Sequence, residues 1–348
     1  MSTLLIHQTD IFHPHNDPDD HWDLACVFAL AQARRFELAG VLIDYPPDHQ
    51  KGDPATHAVE QLAHIHTLPG IPIAIGSRSS MAHRKDTLES LPPCDQAAGS
   101  WLLDTLRNAP RPVTIMIVGS CIDVAAAAVR DPELFREKCQ AIYLNAGSAF
   151  NGDVSGEVEW NVYLNRAAYA AIFDIPCPIY WCPCWHRTND ASVGEYGTWY
   201  RFQQGDIMRS LSPQMQNYFL YALTKSNDLQ WLRALDRPVD QELLDKHSAS
   251  FRNMWCTAPI FHSVGLTTTK NGEIVAADKT DDPLFSFEPA QMSCDDNGEV
   301  VWEPRASQSA SAPERYIFKI HDTARYTDAM ITAMKRLLCG GLEAGIVE

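Results

Sequence analysis

The rhythm of the first half constrains this chain most. From Leu4 to Trp181, short apolar runs alternate with segments patterned as helices. Leu4–Thr9, Leu38–Ile43, Ile71–Ile75, Val113–Val118, Ala141–Leu144 and Ile179–Trp181 read as strands. Leu24–Ala33, Ala55–His66, Ser100–Asn108, Val124–Val129 and Ala167–Phe173 read as the helices between them. Near-continuous apolar strands need cover on both faces, and alternation with helices supplies it. The expected fold class is α/β: a doubly wound, mostly parallel open sheet flanked by helices. Ligands of such sheets bind at the carboxyl ends of the strands, so a polar cluster just after a strand is a candidate site.

The second half changes character. Thr198–Leu235 reads as helical and is rich in aromatic residues, among them Trp199, Tyr200, Phe202, Tyr218, Phe219, Tyr221 and Trp231. It is expected as a helical cap over about 195–250, either packed on the sheet or walling a pocket. Asn-Gly-Glu sequences at Asn271 and Asn297 lie beside β-branched runs and predict C-terminal hairpins. Arg305–Glu314 is rich in Ser, Ala and Pro and reads as a loop; Arg325–Leu338 reads as a closing helix. No internal repeat is evident, and residues 1–348 are expected to form a single domain.

Charge narrows the partners. The formal net charge of −16 opposes a nucleic-acid phosphate partner and suits a small neutral or cationic ligand, or a divalent metal. No apolar run reaches the roughly 20 residues that a membrane span needs. Met1–Thr9 lacks the pattern of a signal peptide, so a cytoplasmic protein with no membrane partner is expected. The ten cysteines are then expected to be reduced, with Cys26 and Cys139 in apolar strings as core thiols.

The densest chemistry is TDIFHPHNDPDDHWDLA, residues 9–25. The first strand runs into Asp10, and Asp17, Asp19, Asp20 and Asp23 follow. Carboxylates this close repel, so a cation, raised pKa values or wide exposure must relieve them. Hard oxygen ligands at a strand end suit Ca²⁺ or Mg²⁺. A helix N-terminus also attracts Asp, through capping and the macrodipole, yet that uses one or two carboxylates and not five. His13, His15 and His21 in the same segment could ligate a metal or simply hydrogen-bond the carboxylates.

This segment resembles the N-terminal aspartate signature of the nucleoside hydrolase superfamily, and Pro18-Asp19-Asp20 is similar to the form found in a divergent, sugar-binding branch of it. The resemblance continues in order. It takes in VGSCIDVAAAAVRDPEL from Val118, AIYLNAGSAF from Ala141, VEWNVYLNRAAYAAIF from Val158 and FKIHDTARYTDAMITAM from Phe318. It implies a nucleoside hydrolase-like fold and metal-assisted hydrolysis of the N-glycosidic bond of a ribonucleoside or related riboside, with Ca²⁺ as cofactor. Carried over residue by residue, it gives Asp10 and Asp20 as metal ligands, Asp19 as general base, and the main-chain carbonyl of Ile122 as a further ligand. Asp17 stands as an alternative to any of the three aspartates. Glu159 and Asn161 match sugar-hydroxyl binders, Asn151 or Asp153 matches another, and Asn145 falls on the pocket lining.

Two departures stand out. The family's late His-Asp pair falls here on RNMWCTAPIF, which offers Asn253, Trp255 and Cys256 but no carboxylate. The family's Gly-Asn after the second strand is replaced by Asp44-Tyr45. Trp181-Cys182-Pro183-Cys184-Trp185-His186 follows a strand and reads as a pocket wall, with a soft-metal site or a general acid at His186 as the sharper reading. The expectation is a homo-oligomeric N-glycosyl hydrolase acting on a small riboside or sugar. The alternative is a non-catalytic sugar- or nucleoside-binding protein of the same fold.

Overall fold

The computed structural model describes residues 3–15, 18–150, 158–187, 191–306, 313–340 and 342. Nine strands share one sheet: β1 (Thr3–Thr9), β2 (Phe36–Ile43), β3 (Ile73–Ile75), β4 (Val113–Ile117), β5 (Cys139–Leu144), β6 (Ile179–Trp181), β7 (Phe285–Cys294), β8 (Val300–Pro304) and β9 (Arg315–Ile320). Their spatial order is β8-β7-β9-β6-β5-β4-β1-β2-β3. The run from β9 to β3 is parallel, and β7 and β8 are antiparallel additions at one edge.

Alternation along each strand explains the two layers. Leu4 and Ile6 of β1 enter one core while Leu5 enters the other; Ile115 and Ile117 of β4 oppose Met116 in the same way. The helices Asp19–Gln32 and Thr323–Leu338 cover the first face, and Pro93–Asn108, Ile122–Arg130 and Arg166–Ile172 cover the second. The helix Asp19–Gln32 is buried continuously from Asp20 to Ala31, because it lies between the sheet and the segments above it. It therefore carries polar groups into the interior. It starts before the expected Leu24, since Asp19 and Asp20 in its first turn complement the helix dipole.

The expected helix over Thr198–Leu235 is broken. Tyr200–Gln203 is a strand paired antiparallel with Phe251–Met254, followed by helices Gly205–Met208, Pro213–Leu223 and Trp231–Ala234. Tyr200 and Phe202 are buried while Arg201 and Gln203 are exposed, the period of two that marks a strand. Ser212 then caps a new helix with Pro213 in its first turn. Both hairpins form, Leu266–Thr268 with Ile274–Ala276 and β7 with β8. Gly272 and Gly298, at φ +74° and +82°, take the left-handed positions of their turns. Among the described residues no helix is long and apolar enough to cross a membrane.

The chain winds outward from β1 through β2 to β3, then returns to β4 on the other side of β1. The crevice between the ends of β1 and β4 is thus the switch point of the sheet.

Candidate functional site

A cavity of about 280 Å³ opens at that switch point. Asp10 enters it just after β1, Val118 just after β4, and Cys184 and Trp185 just after β6. Asp19 and Asp20 come from the first turn of the helix Asp19–Gln32, and Glu159, Trp160 and Asn161 from the start of the helix Trp160–Leu164. Phe12, Gln50, Trp255 and Cys256 complete the lining. Five of the sequence candidates, Asp10, Asp19, Asp20, Glu159 and Asn161, thus meet in one cavity.

Glu159 is held by its neighbours. Its carboxylate accepts hydrogen bonds from the backbone N–H of Gly147 (2.7 Å), Asn161 (3.0 Å) and Val162 (3.4 Å), capping the short helix it precedes. Burial raises its pKa against those three donors. The Asn161 amide donates to the carbonyls of Val118 (3.2 Å) and Asn145 (3.0 Å), which fixes the side chain between two strand ends and leaves its oxygen as an acceptor.

The carboxylates crowd. Thr9 Oγ1 donates to Asp20 at 2.6 Å, and Trp160 Nε1 donates to Asp10 at 3.3 Å. Burial and the charge of Asp44 push Asp10 up to about 7, with the bonds from Trp160 and Asp20 opposing. Burial, Asp10 and Asp19 raise Asp20 well above the usual carboxylate range. Behind Asp10, Asp44 accepts from Gln8 Nε2 (2.5 Å) and from the Ser120 N–H (2.6 Å), and burial lifts it to about 6. Gly119 has no room for a side chain, because a Cβ there would overlap Asp44 and Gln8.

The remaining candidates lie elsewhere. Asn145 is buried and donates to the Cys182 carbonyl (2.8 Å) and Thr198 Oγ1 (3.2 Å), a tie between strand ends and not a cavity wall. His186 sits on the strand Trp185–Arg187 among Phe150 and Tyr196, with Nδ1 accepting from the Tyr196 N–H, and it does not line the cavity. Ile122 opens the helix Ile122–Arg130 and does not line it either. Asp17, Asn151 and Asp153 fall outside the described residues. Asp23, one helical turn after Asp19, is fully buried and does not line the cavity, and burial pushes it up to about 7. The Cys256 thiol stands against Asp23, too weak a donor to satisfy a charged carboxylate.

Sequence reading missed Phe12, Gln50, Val118 and Trp160. Only Trp160 carries a local signal, since it stands between two cavity residues.

A calcium ion needs about six to eight oxygen ligands. Among the described residues no group of three or more His, Cys, Asp or Glu side chains is placed to hold one ion. Ile122 is not among the residues that line the cavity, and a thiol stands where the resemblance needs the last carboxylate. Burial keeps Cys256 and Cys184 well above the ordinary thiol range, hence protonated and poor ligands for a hard cation. The described residues do not fit the ion.

Comparison with known proteins agrees with this architecture. No curated protein sequence matches the chain. Among solved structures, a plant nucleoside hydrolase, the PpNRh1 enzyme, superposes with a TM-score of 0.55 at 14% identity, covering 97% of this chain and 99% of its own. The inosine-uridine preferring nucleoside hydrolase from Bacillus anthracis gives 0.53 at 14% identity, with 97% and 100% covered. The type III effector protein XopQ, solved with adenosine diphosphate ribose, gives 0.52 at 14% identity, with 99% and 94% covered. These likenesses establish the fold. A family model, described as inosine-uridine preferring nucleoside hydrolase, matches residues 9–245, and the chain belongs to that family.

Proposed function

We propose that the cavity binds the ribosyl group of a small riboside and hydrolyses its N-glycosidic bond. The observation that carries this reading is the convergence of Asp10, Asp19, Asp20, Glu159 and Asn161 on one cavity at the sheet's switch point. Glu159 and the free oxygen of Asn161 accept hydrogen bonds from sugar hydroxyls. Asp19, at the cavity wall, takes the proton of the attacking water. The carboxylates oppose the positive charge that develops at the anomeric carbon in an oxocarbenium-like transition state. Because Asp10 lies near 7, the acid group as a whole still holds a proton at neutral pH and can return it. No step is assigned to a metal ion.

A second reading is a binding protein that has lost turnover. Trp255 and Cys256, in place of the family's late His-Asp pair, favour it. The adenosine diphosphate ribose named for XopQ suits riboside recognition under either reading. The test is a panel of ribosides incubated with and without chelator, with free ribose measured. Hydrolysis insensitive to chelator supports the enzymatic reading; binding without hydrolysis at any pH supports the second; no binding at all refutes both.

A further inference from the structure

We infer that the aglycone of the riboside is a flat heteroaromatic ring system, received outside the cavity on an exposed ledge formed by Trp160, Tyr163 and His49. This inference rests on the riboside reading above and adds the class of aglycone and the place that takes it.

Three observations converge. First, the ledge is continuous with the cavity and open to solvent. Trp160 lines the cavity, yet it is 38% exposed. Tyr163, 53% exposed, stacks on it with ring centroids 5.6 Å apart and planes at 28°. The exposed ring of His49 stands T-shaped to both, 5.9 Å from Trp160 and 6.1 Å from Tyr163. Neither Tyr163 nor His49 lines the cavity. Single exposed aromatic residues are ordinary on a protein surface. Three in mutual contact at the rim of a cavity make a stacking surface, and every flat base has a π-face to lay on one.

Second, one short helix holds the ledge and the sugar contacts in fixed relation. Trp160 and Tyr163 are three residues apart on the helix Trp160–Leu164, so their side chains are neighbours. The same turn carries Asn161, which is buried and lines the cavity, and Glu159 caps it. Trp160 Nε1 donates to Asp10 at 3.3 Å, which pins the indole at the rim. His49 immediately precedes Gln50, another residue of the lining. A sugar bound by Glu159 and Asn161 therefore has aromatic surface one residue away.

Third, the other indoles of the wall are engaged with one another. Trp185 and Trp255 pack T-shaped with centroids 5.4 Å apart, and Trp199 lies against Trp185 at 6.0 Å. The cavity, about 280 Å³, is also smaller than the roughly 300–1,000 Å³ of sites for drug-sized ligands. A ligand larger than its sugar reaches the mouth, where the rings that meet it are those of the ledge. An open ledge selects for flatness and area and not for outline. It takes one-ring and two-ring bases alike, the larger more tightly.

The test uses the wild-type chain and the variants Tyr163→Ala, Tyr163→Phe and His49→Ala. Calorimetry measures binding of inosine, uridine and methyl β-D-ribofuranoside, the last of which carries the sugar without a ring. Both replaced side chains are exposed, so their truncation opens no core, and the ratio of two affinities is read so that a general loss cancels. Stacking predicts that the wild type binds inosine at least about fivefold tighter than the methyl riboside, with uridine between them. Tyr163→Ala and His49→Ala should each narrow that ratio, and Tyr163→Phe should keep it. Equal wild-type affinity for inosine and the methyl riboside, or a ratio unchanged in either alanine variant, overturns the ledge and leaves riboside recognition intact. Failure of all three ligands to bind the wild type overturns the riboside reading, and the ledge with it.

Discussion

Glu159 is the residue at which sequence and structure give different expectations for the same substitution. Read as a sugar binder alone, Glu159→Gln should weaken ligand binding and leave the melting temperature nearly unchanged. The structure gives the side chain a second task. One oxygen accepts from Asn161 N–H, the other from Gly147 and Val162 N–H. A glutamine keeps one acceptor and turns an NH₂ group toward a backbone donor. A buried donor left without a partner costs about 1–3 kcal/mol, and loss of an N-cap about 0.5–2 kcal/mol. We expect Glu159→Gln to cost roughly 1–3 kcal/mol and Glu159→Ala roughly 2–4 kcal/mol, water in the cavity recovering part of the loss. Each kcal/mol shifts the melting temperature by about 2–4 °C in domains of about 150–250 residues, and by less in a larger one. Both variants should also lose riboside affinity, because the cap positions Trp160 and Asn161. Asn165→Ala is the control. Asn165 caps the next helix through Ala168 N–H at 2.6 Å and does not line the cavity, so it should lose stability and keep affinity. Scanning fluorimetry with ligand titration reads both quantities. An unchanged melting temperature in Glu159→Ala would refute the capping argument.

Other expectations follow from the same geometry. Asp19→Asn should lower turnover by about 10²–10⁴ and retain ligand binding, while Asp17→Asn does little; single-turnover assays showing the opposite pattern would move the base to Asp17. Asp23, raised to about 7 in the fold from the ordinary 3.8, favours folding fully at low pH. That contribution is lost as pH rises from 3.8 to about 7, so Asp23→Asn should flatten the loss of stability across that window, as read by denaturant melts. A slope identical to wild type would show that the carboxyl is solvated. Gly147→Ala should destabilise the protein and weaken binding together, because φ there is +81° and a Cβ would run into the Tyr169 hydroxyl. His186→Ala should leave the pH–rate profile in place, since the ring faces Phe150 and Tyr196 and not the cavity; loss of one limb of that profile would make His186 the acid.

Much of the fold was legible because a buried parallel strand must be apolar on both sides, which shows even without neighbours. The acids Asp10, Asp19 and Asp20 were legible for a related reason: a strand running into a carboxylate at a switch point has few other uses. Side-chain direction was not legible. Ile122, Asn145 and His186 all follow strands, yet Asn145 spends its amide on Cys182 and Thr198, and His186 turns toward an aromatic cluster. Gln50 and Phe12 could not be assigned because loops bring them to the cavity over contacts that no local pattern records. The strand at Tyr200–Gln203 was hidden for a different reason. Four residues of alternating burial are too short to outweigh the helical periodicity around them.

The buried acids behind the cavity contrast with those that line it. Asp44 lies behind Asp10 and Asp123 next to Asp44, lifted to about 6 and about 7 largely by burial. Each is tethered by backbone donors, Asp44 by Ser120 and Asp123 by Ser77 at 3.1–3.2 Å, so these two have structural work that explains their retention. Asp19 lines the cavity itself, where an asparagine would relieve repulsion without a clash. A site built only to hold the hydroxyls of a sugar would gain from that relief, because neutral amides also accept hydrogen bonds. Keeping the charge is reasonable where something positive forms among these groups. In the proposed hydrolysis an oxocarbenium-like transition state would provide it. On the riboside reading proposed above, such charge would make the cavity more complementary to the transition state than to the sugar released, and that difference is what accelerates a reaction.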